Sequence, residues 1–212
     1  MVDAFVAIYI GCPRPVVLAP YAKIPVIGSI MRAVGALLVP LSSSSKPSSE
    51  SEGKSATNAV REALIGHKKS FQPGDIAVGL FPEGITHNGS SILTFFPGSF
   101  EGGGVIQPVT VVYPYMPFNS AFFSTTILDH VRKLMSTPYL AIRVEFLTPH
   151  KPTEEEAVDA KATAEAVRRL VSEGCGLPLN TIGAKQLRQE MKEEEEKANA
   201  AKAGRQPGKE MV

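Results

Sequence analysis

The sequence predicts an α/β domain with a mixed, mostly parallel sheet flanked by helices. Strand-like and helix-like segments alternate along the chain, as in α/β layered domains. Residues 76–81 form a continuous apolar run, which predicts the strongest strand of the chain, covered on both faces. Residues 154–171 have helical spacing, a preceding Pro-Thr stop and cap, and three glutamates in the first turn. These observations together predict the layered fold.

The first 41 residues predict two helices, each followed by a short strand. Residues 1–14 favour a helix and 16–18 a buried strand. A second helix opens at residues 23–25 and ends at Gly35, before a strand at 36–39. Residues 24–41 are the most hydrophobic stretch, but a bilayer span would place Arg32 near mid-membrane. We therefore expect a buried helix or one that touches a membrane surface, and no transmembrane segment.

The remaining segments predict one domain, 1–183, and a charged tail, 184–212, that begins as an exposed helix and frays after about Ala198. Serine enrichment predicts a solvated loop at 41–55. The other expected elements are a helix at 56–69, a turn at 72–75, and strands at 106–113 and 140–147, the last near a sheet edge.

Composition argues against a nucleic-acid partner and against a zinc site. With 22 basic and 21 acidic residues the net charge is +1, so no basic field favours nucleic acid as a partner. Cys12 and Cys175 lie far apart with no metal-ligand spacing, which favours free thiols in a reducing compartment over a zinc site.

The loop at 81–89, Phe-Pro-Glu-Gly-Ile-Thr-His-Asn-Gly, is the best candidate site. It follows the main predicted strand, and the carboxyl ends of such strands commonly bind ligands. Gly84 and Gly89 permit turns that other residues resist. The carboxylate of Glu83 can orient a donor or accept a proton. From spacing alone, an ordinary Pro/Gly turn is an equally good interpretation.

Several motifs appear in a consistent order. Phe81-Pro82-Glu83-Gly84 is followed by Thr86, Asn88 and Gly89, then by Leu93, Phe95 and Gly98-Ser99-Phe100. Lys23 to Gly28, continuing to Gly35, precedes this block, and Ile106-Gln107-Pro108-Val109 follows it. Over about residues 1–183 this order resembles the 1-acylglycerol-3-phosphate and lysophospholipid acyltransferase family, in particular its lysophosphatidylcholine/lysophosphatidylethanolamine branch. Ile85 and Phe96 stand where that branch has threonine and lysine.

The resemblance implies a glycerolipid acyltransferase-like fold and acyl-CoA-dependent transfer of a fatty acyl group to a lysophospholipid. It implies catalytic roles for Asp3 and Glu83, no metal or bound cofactor, and acyl-CoA as a co-substrate. It also implies work at a membrane surface, with location at the endoplasmic reticulum membrane. The implied substrate-binding residues are Phe81, Pro82, Gly84, Thr86, Asn88, Gly89, Gly98 and Pro108.

Two departures from the family pattern bear on activity. Asp3 aligns with the aspartate of the family's His-X4-Asp motif, which puts the histidine three residues before Met1. We therefore expect a truncated start and no acyl transfer by residues 1–212, with a non-catalytic lipid-binding remnant as the alternative. His87 is a candidate substitute base, although a polar loop residue is the simpler interpretation. The family's phosphate-binding arginine after Gly35 is also missing, which leaves Lys46 or Arg32, the latter more simply a surface charge.

Six phenylalanines could have either a functional or a structural role. They could line an acyl-chain channel, yet aromatics at such spacings are more often core residues. We therefore expect plain packing for most of them: Phe95, Phe96, Phe100, Phe118, Phe122 and Phe123.

Overall fold

Helices and strands alternate in the computed structural model, which describes residues 2–11, 13–23, 25–39, 61–72, 74–87, 89–115, 127–139 and 141–203. The strands are β1 (Arg14–Leu18), β2 (Leu37–Val39), β3 (Val78–Gly79), β4 (Val109–Tyr115) and β5 (Ala141–Phe146). The helices are α1 (Val2–Gly11), α2 (Pro25–Ala33), α3 (61–70), α4 (Ile127–Ser136), α5 (Glu154–Val158), α6 (Ala160–Cys175) and α7 (Ala184–Ala203).

The strands form two separate sheets. Three are parallel in the order β2-β1-β3, with Val16 opposite Leu37 and Arg14 opposite Val78. The other two, β4 and β5, pair antiparallel, with a register shift between Val112 and Tyr115. The parallel sheet and its flanking helices confirm the predicted α/β class. Among the described residues β5 pairs with β4 alone, which agrees with the prediction that it lies near a sheet edge.

The prediction of a main strand at 76–81 is wrong in both the length and the burial of the strand. Regular pairing is limited to Val78–Gly79, and β3 lies at the edge of its sheet. Ile76 is 48% exposed and Phe81 is 65% exposed. The chain leaves the ladder because Pro82 opens a turn, in which the Gly84 N–H donates to the Phe81 carbonyl at 3.2 Å. A continuous apolar run therefore occurs here on an edge strand.

The strand predicted at 106–113 starts later than expected. Ile106 instead makes an isolated antiparallel bridge with His150, and the ladder of β4 begins at Val109. Pro108 separates the two because it has no N–H to donate. Its carbonyl accepts from the Leu147 N–H at 3.0 Å, so the chain still lies beside the end of β5.

The single helix predicted at 154–171 is two helices. Asp159 is extended (φ −111°, ψ 97°), ends α5 and caps α6 by accepting from the Lys161 N–H at 2.9 Å. Aspartate competes for backbone donors in this way, and that disfavours a continuous helix. The predicted cap at Thr153 is confirmed, with Glu156 completing a capping box.

The core joins α6 to the segment that follows the candidate loop. Its buried members are Ile92, Phe95 and Phe100 from that segment and Ala164 and Val167 from α6. The rings of Phe95 and Phe100 stack with centroids 6.1 Å apart. Packing is thus the role of these two phenylalanines, whereas Phe96 is 38% exposed. The core fixes the loop's downstream end against α6.

Other predictions have mixed outcomes. Arg32 is an exposed residue of α2 that donates to the Ser29 hydroxyl at 3.3 Å, consistent with a surface charge. The turn predicted at 72–75 is present, with the Asp75 N–H donating to the Gln72 carbonyl, and α7 continues past Ala198 to Ala203. No helix in the described ranges has both the length and the apolar character to cross a membrane. The predicted 41–55 loop, Cys12, Phe118, Phe122 and Phe123 lie outside the described residues.

Candidate active site

The Phe-Pro-Glu-Gly segment is a tight turn held at both ends. Besides the Phe81–Gly84 hydrogen bond, the Pro82 carbonyl accepts from the Phe96 N–H at 2.8 Å. Proline and glycine occupy favoured turn positions, and Gly84 has φ +66°, a left-handed conformation that suits glycine. The turn thereby projects the side chain of Glu83 back toward the chain that follows.

Both carboxylate oxygens of Glu83 are hydrogen-bonded. Oε1 accepts from the Leu93 N–H at 2.8 Å, and Oε2 lies 2.9 Å from His87 Nε2. The Gly89 N–H donates to His87 Nδ1 at 3.2 Å, so the geometry assigns the imidazole proton to Nε2. The side chains of Glu83 and His87 are 21% and 10% exposed. The result is an oriented carboxylate at the molecular surface.

A second layer of contacts holds the segment that supplies the Leu93 N–H. The Ile92 N–H donates to the Pro178 carbonyl and the Asn180 N–H to the Ile92 carbonyl, both at 2.9 Å. The buried guanidinium of Arg168 donates to the Leu93 carbonyl at 2.8 Å and to the Ile92 carbonyl at 3.0 Å. Residues far along the chain thus support the loop.

An exposed cation also lies on the loop. Arg188 of α7 donates from Nη2 to the Gly84 carbonyl at 2.6 Å. A guanidinium carries five N–H donors, so this contact leaves others that can face a ligand. Positive charge is therefore available beside the turn.

The predicted substrate-binding residues do not all lie in the candidate loop. Thr86 and Gly89 are exposed in the loop, while Gly98 is buried at 97–99, where a Cβ would come within 2.6 Å of the Phe96 ring. Pro108 is buried at the foot of β4, and its hydrogen bonds run to Gln107 and Leu147. Asp3 lies in the first turn of α1, with its side chain outside the described atoms, and Asn88 lies outside the described residues.

An open groove of roughly 260 Å³ adjoins the segment that follows the loop. Phe95, Pro97 and Ala164 give it apolar walls, whereas Lys161 and Glu165 bring charge to it. Such a mixed lining suits a ligand with apolar and polar parts. In the described portion of the chain, no cluster of three His, Cys, Asp or Glu residues could hold a metal ion.

A second histidine–carboxylate pair lies outside the loop. His150 Nε2 is 2.9 Å from Glu156 Oε2, and the same oxygen accepts from the Thr153 N–H at 3.0 Å. The backbone hydrogen bond from Thr153, together with the side chain and charge of His150, holds the pKa of Glu156 below its usual value despite partial desolvation. This carboxylate belongs to the capping box of α5.

The sequence did not predict a role at the candidate site for three contributors: the Leu93 backbone, Arg168 and Arg188. Only Arg168 had a usable signal. It falls on the same helical stripe as Ala164 and Val171, where a charged residue interrupts an apolar face. A basic residue at such a position signals buried acceptors, although the sequence does not identify them.

The chain is similar to several lysophospholipid acyltransferases. It is 32% identical over 161 residues to the lysophospholipid acyltransferase LPEAT1 of Arabidopsis thaliana, covering 76% of this chain and 39% of that protein. It is 29% identical to human lysophosphatidylcholine acyltransferase 2 over 84% of this chain and 31% of the relative. Lysophosphatidylcholine acyltransferase of Drosophila melanogaster is 26% identical over 84% of this chain.

The chain thus spans between about a third and two-fifths of the length of these relatives. No family model and no solved structure matches it. The aligned regions nevertheless cover most of this chain in relatives from a plant, an insect and a mammal. These similarities, which extend over 76–84% of this chain, support its assignment to the lysophospholipid acyltransferase family.

Proposed function

We propose that the chain forms the acyl-transfer domain of a lysophospholipid acyltransferase that uses acyl-CoA as its donor. The observation that carries the proposal is the oriented carboxylate of Glu83, held by the Leu93 N–H and His87 in a Phe-Pro-Glu-Gly turn. The relatives named above supply the substrate class, since their names specify lysophospholipid acyl transfer.

The reaction joins the acceptor's free hydroxyl oxygen to the thioester carbon and breaks the carbon–sulfur bond. A general base takes the hydroxyl proton, and the CoA sulfur leaves with the electron pair. We assign the base to a histidine of a His-X4-Asp motif, with Asp3 orienting its imidazole. Direct attack on a thioester requires no protein nucleophile, bound cofactor or metal in this scheme.

Glu83 positions the acceptor. An ionised carboxylate has about four lone-pair sites, and the Leu93 and His87 contacts use two of them. The remaining sites can accept hydrogen bonds from hydroxyl or amine groups of a lysophospholipid. Fixing the acceptor in this way lowers the entropic part of the barrier. Substitution of Glu83 should therefore affect turnover more than folding.

Charge near the turn supports binding of the substrate phosphates. Arg188 lies on the Gly84 carbonyl, and Lys161 lines the neighbouring groove. Guanidinium groups bind phosphate well because they present parallel N–H donors. Both substrates carry phosphate and a fatty chain, so we propose that the reaction occurs at a membrane surface. The family resemblance implies the endoplasmic reticulum membrane, and the near-neutral net charge favours no nucleic acid as partner.

The test compares two forms of the protein. One is residues 1–212, and the other adds an N-terminal segment that puts a histidine at the first position of a His-X4-Asp motif ending in Asp3. Each is incubated with acyl-CoA and lysophosphatidylcholine or lysophosphatidylethanolamine, and the diacyl product is quantified by mass spectrometry. We expect turnover in the extended form and none in 1–212.

The controls separate the rival functions. Replacing the added histidine by alanine should abolish turnover, as should omitting acyl-CoA. Turnover by 1–212 that His87→Ala abolishes would instead make His87 the base. Lysophospholipid binding without turnover in any form would support a lipid-binding protein of the same fold and reject the enzymatic proposal.

A further inference from the structure

Arg168 is a buried cation to which the sequence motifs assign no role. It is 5% exposed, and Nε donates to the Leu93 carbonyl while Nη2 donates to the carbonyls of Ile92 and Asn180. Nη1 pairs with Glu165 Oε2 at 2.9 Å. Burying a charge is costly unless it is paired and hydrogen-bonded, and here the guanidinium is both.

One peptide group connects this cation to the candidate site. The Ile92 carbonyl and the Leu93 N–H belong to the same peptide. Its oxygen accepts from Arg168 at 3.0 Å, and its N–H donates to Glu83 Oε1 at 2.8 Å. A positive donor at one end and a carboxylate at the other polarise the peptide in the same direction, so the two hydrogen bonds strengthen each other.

The chain of hydrogen bonds continues beyond Glu83. Its second oxygen meets His87 Nε2, and His87 Nδ1 accepts from the Gly89 N–H. We infer that Arg168 is a positioning residue for Glu83: it holds the Ile92–Leu93 peptide so that its N–H orients the carboxylate and, through it, the imidazole of His87. The inference rests on the proposed role of Glu83 in acyl transfer.

The arrangement of acceptors argues for positioning over simple packing. An apolar side chain would fill the space beside Ala164 and Val167 without the cost of burying a charge. The ion-pair partner Glu165 is on the same helix and is 41% exposed. The three carbonyl acceptors, by contrast, lie outside α6. Two belong to Ile92 and Leu93, the segment that is hydrogen-bonded to Glu83, and the third belongs to Asn180, which pairs with Ile92. The guanidinium of Arg168 thus links the two backbone segments that support Glu83.

The test uses nuclear magnetic resonance of isotope-labelled 1–212 without substrates. Arg168→Lys keeps the charge but has no planar fork, and Arg168→Met keeps neither. In both variants we expect an upfield shift of the Leu93 amide proton and loss of the slowly exchanging His87 Nε2–H signal. Unchanged Leu93 and His87 signals in a folded variant would overturn the inference.

Two controls exclude a general loss of stability. Val167→Ala removes core methyl groups next to Arg168 and should leave both signals in place. Arg169→Met removes the neighbouring arginine, whose side chain is 68% exposed, and should do the same. If Val167→Ala alters the signals as Arg168→Lys does, the role of Arg168 is structural and the inference fails.

A reciprocal variant keeps the test decisive even if Arg168 substitutions do not fold. Glu83→Gln changes the far end of the chain of hydrogen bonds, in a surface loop. It should shift the resonance of the Arg168 Nη2 protons, which donate to the Ile92 carbonyl, whereas Glu156→Gln should not. An unmoved Arg168 resonance in Glu83→Gln would overturn the coupling.

Kinetics then separate this inference from the proposed function. In the extended, active form, Arg168→Lys should lower kcat at least about tenfold with little change in the KM for acyl-CoA. Normal kcat despite altered Leu93 and His87 signals would overturn the positioning role alone. Absence of turnover in every form would overturn the proposed function, while the substrate-free resonances still decide the coupling.

Discussion

His87–Glu83 in the candidate loop and His150–Glu156 at the start of α5 have nearly the same local geometry. In each pair a histidine Nε2 lies 2.9 Å from a glutamate Oε2, and each carboxylate also accepts from one backbone N–H. Exposure is similar too, with both glutamate side chains near one-fifth exposed. Pair distance and burial therefore do not separate a candidate site from a helix cap.

The origin of the backbone donor does separate them. The donor to Glu156 is Thr153, three residues away, and the contact completes a local capping box. The donor to Glu83 is Leu93, ten residues away, on a segment that Arg168 holds from 75 residues further along. A carboxylate fixed by distant parts of the chain keeps its orientation while the loop around it contacts a ligand.

The largest expected difference between the pairs is in turnover. Glu83→Gln should lower acyl transfer by the extended protein about 100-fold or more, because the acceptor loses its oriented carboxylate. Glu156→Gln is the matched control and should stay within about twofold of wild type. Product formation from acyl-CoA and lysophospholipid measures both. Equal losses would remove the distinction between the two pairs.

The histidines should differ by a smaller factor. His87→Gln keeps hydrogen-bonding capacity but changes its geometry, so we expect roughly a tenfold fall in kcat from misorientation of Glu83. His150→Gln should have almost no effect on kcat. Initial rates at saturating substrate test the contrast. A complete loss of turnover in His87→Gln would indicate proton transfer by His87 itself.

Two glycines in similar backbone conformations lie in the candidate loop and after α6. Gly84 and Gly176 both have left-handed φ, +66° and +71°, and neither has atoms within 4 Å of an added Cβ. Alanine at either position should cost about 1–2 kcal/mol of stability through backbone strain alone. Only Gly84→Ala should also raise the KM for the acceptor. Similar thermal melts with different KM values are expected, and similar KM values would contradict an acceptor role for the turn.

The smallest effect concerns pH and stability. The pKa of Glu156 is lower in the folded protein than its ordinary value, so its carboxylate stabilises the fold above the unfolded pKa. That contribution is lost as the pH falls through the folded pKa. Glu156→Gln should therefore melt below wild type near pH 7, and the difference in melting temperature should close as the pH falls through the folded pKa of Glu156. If the difference in melting temperature between Glu156→Gln and wild type did not change in acid, the charged form of Glu156 would not be the source of the stability.

Local signals were sufficient for much of the secondary structure. The Thr153 cap, the turns at 72–75 and 81–84 and strands β1, β2 and β5 all follow from residues within a few positions of one another. The break at Asp159 does not follow from such local signals. Helical spacing continues through it, and the competing side-chain cap is what divides α5 from α6.

The family resemblance, the α/β class and the position of Glu83 in a turn after a strand could be predicted from the sequence, because motif order and turn chemistry are local properties. Tertiary packing makes β3 a short edge strand and buries Phe95 and Phe100, but not Phe96, in the core. It also decided which groups hold Glu83. Those groups are the Leu93 N–H and the Arg168 guanidinium, brought together only when α6 packs against the 92–100 segment and buries its acceptors.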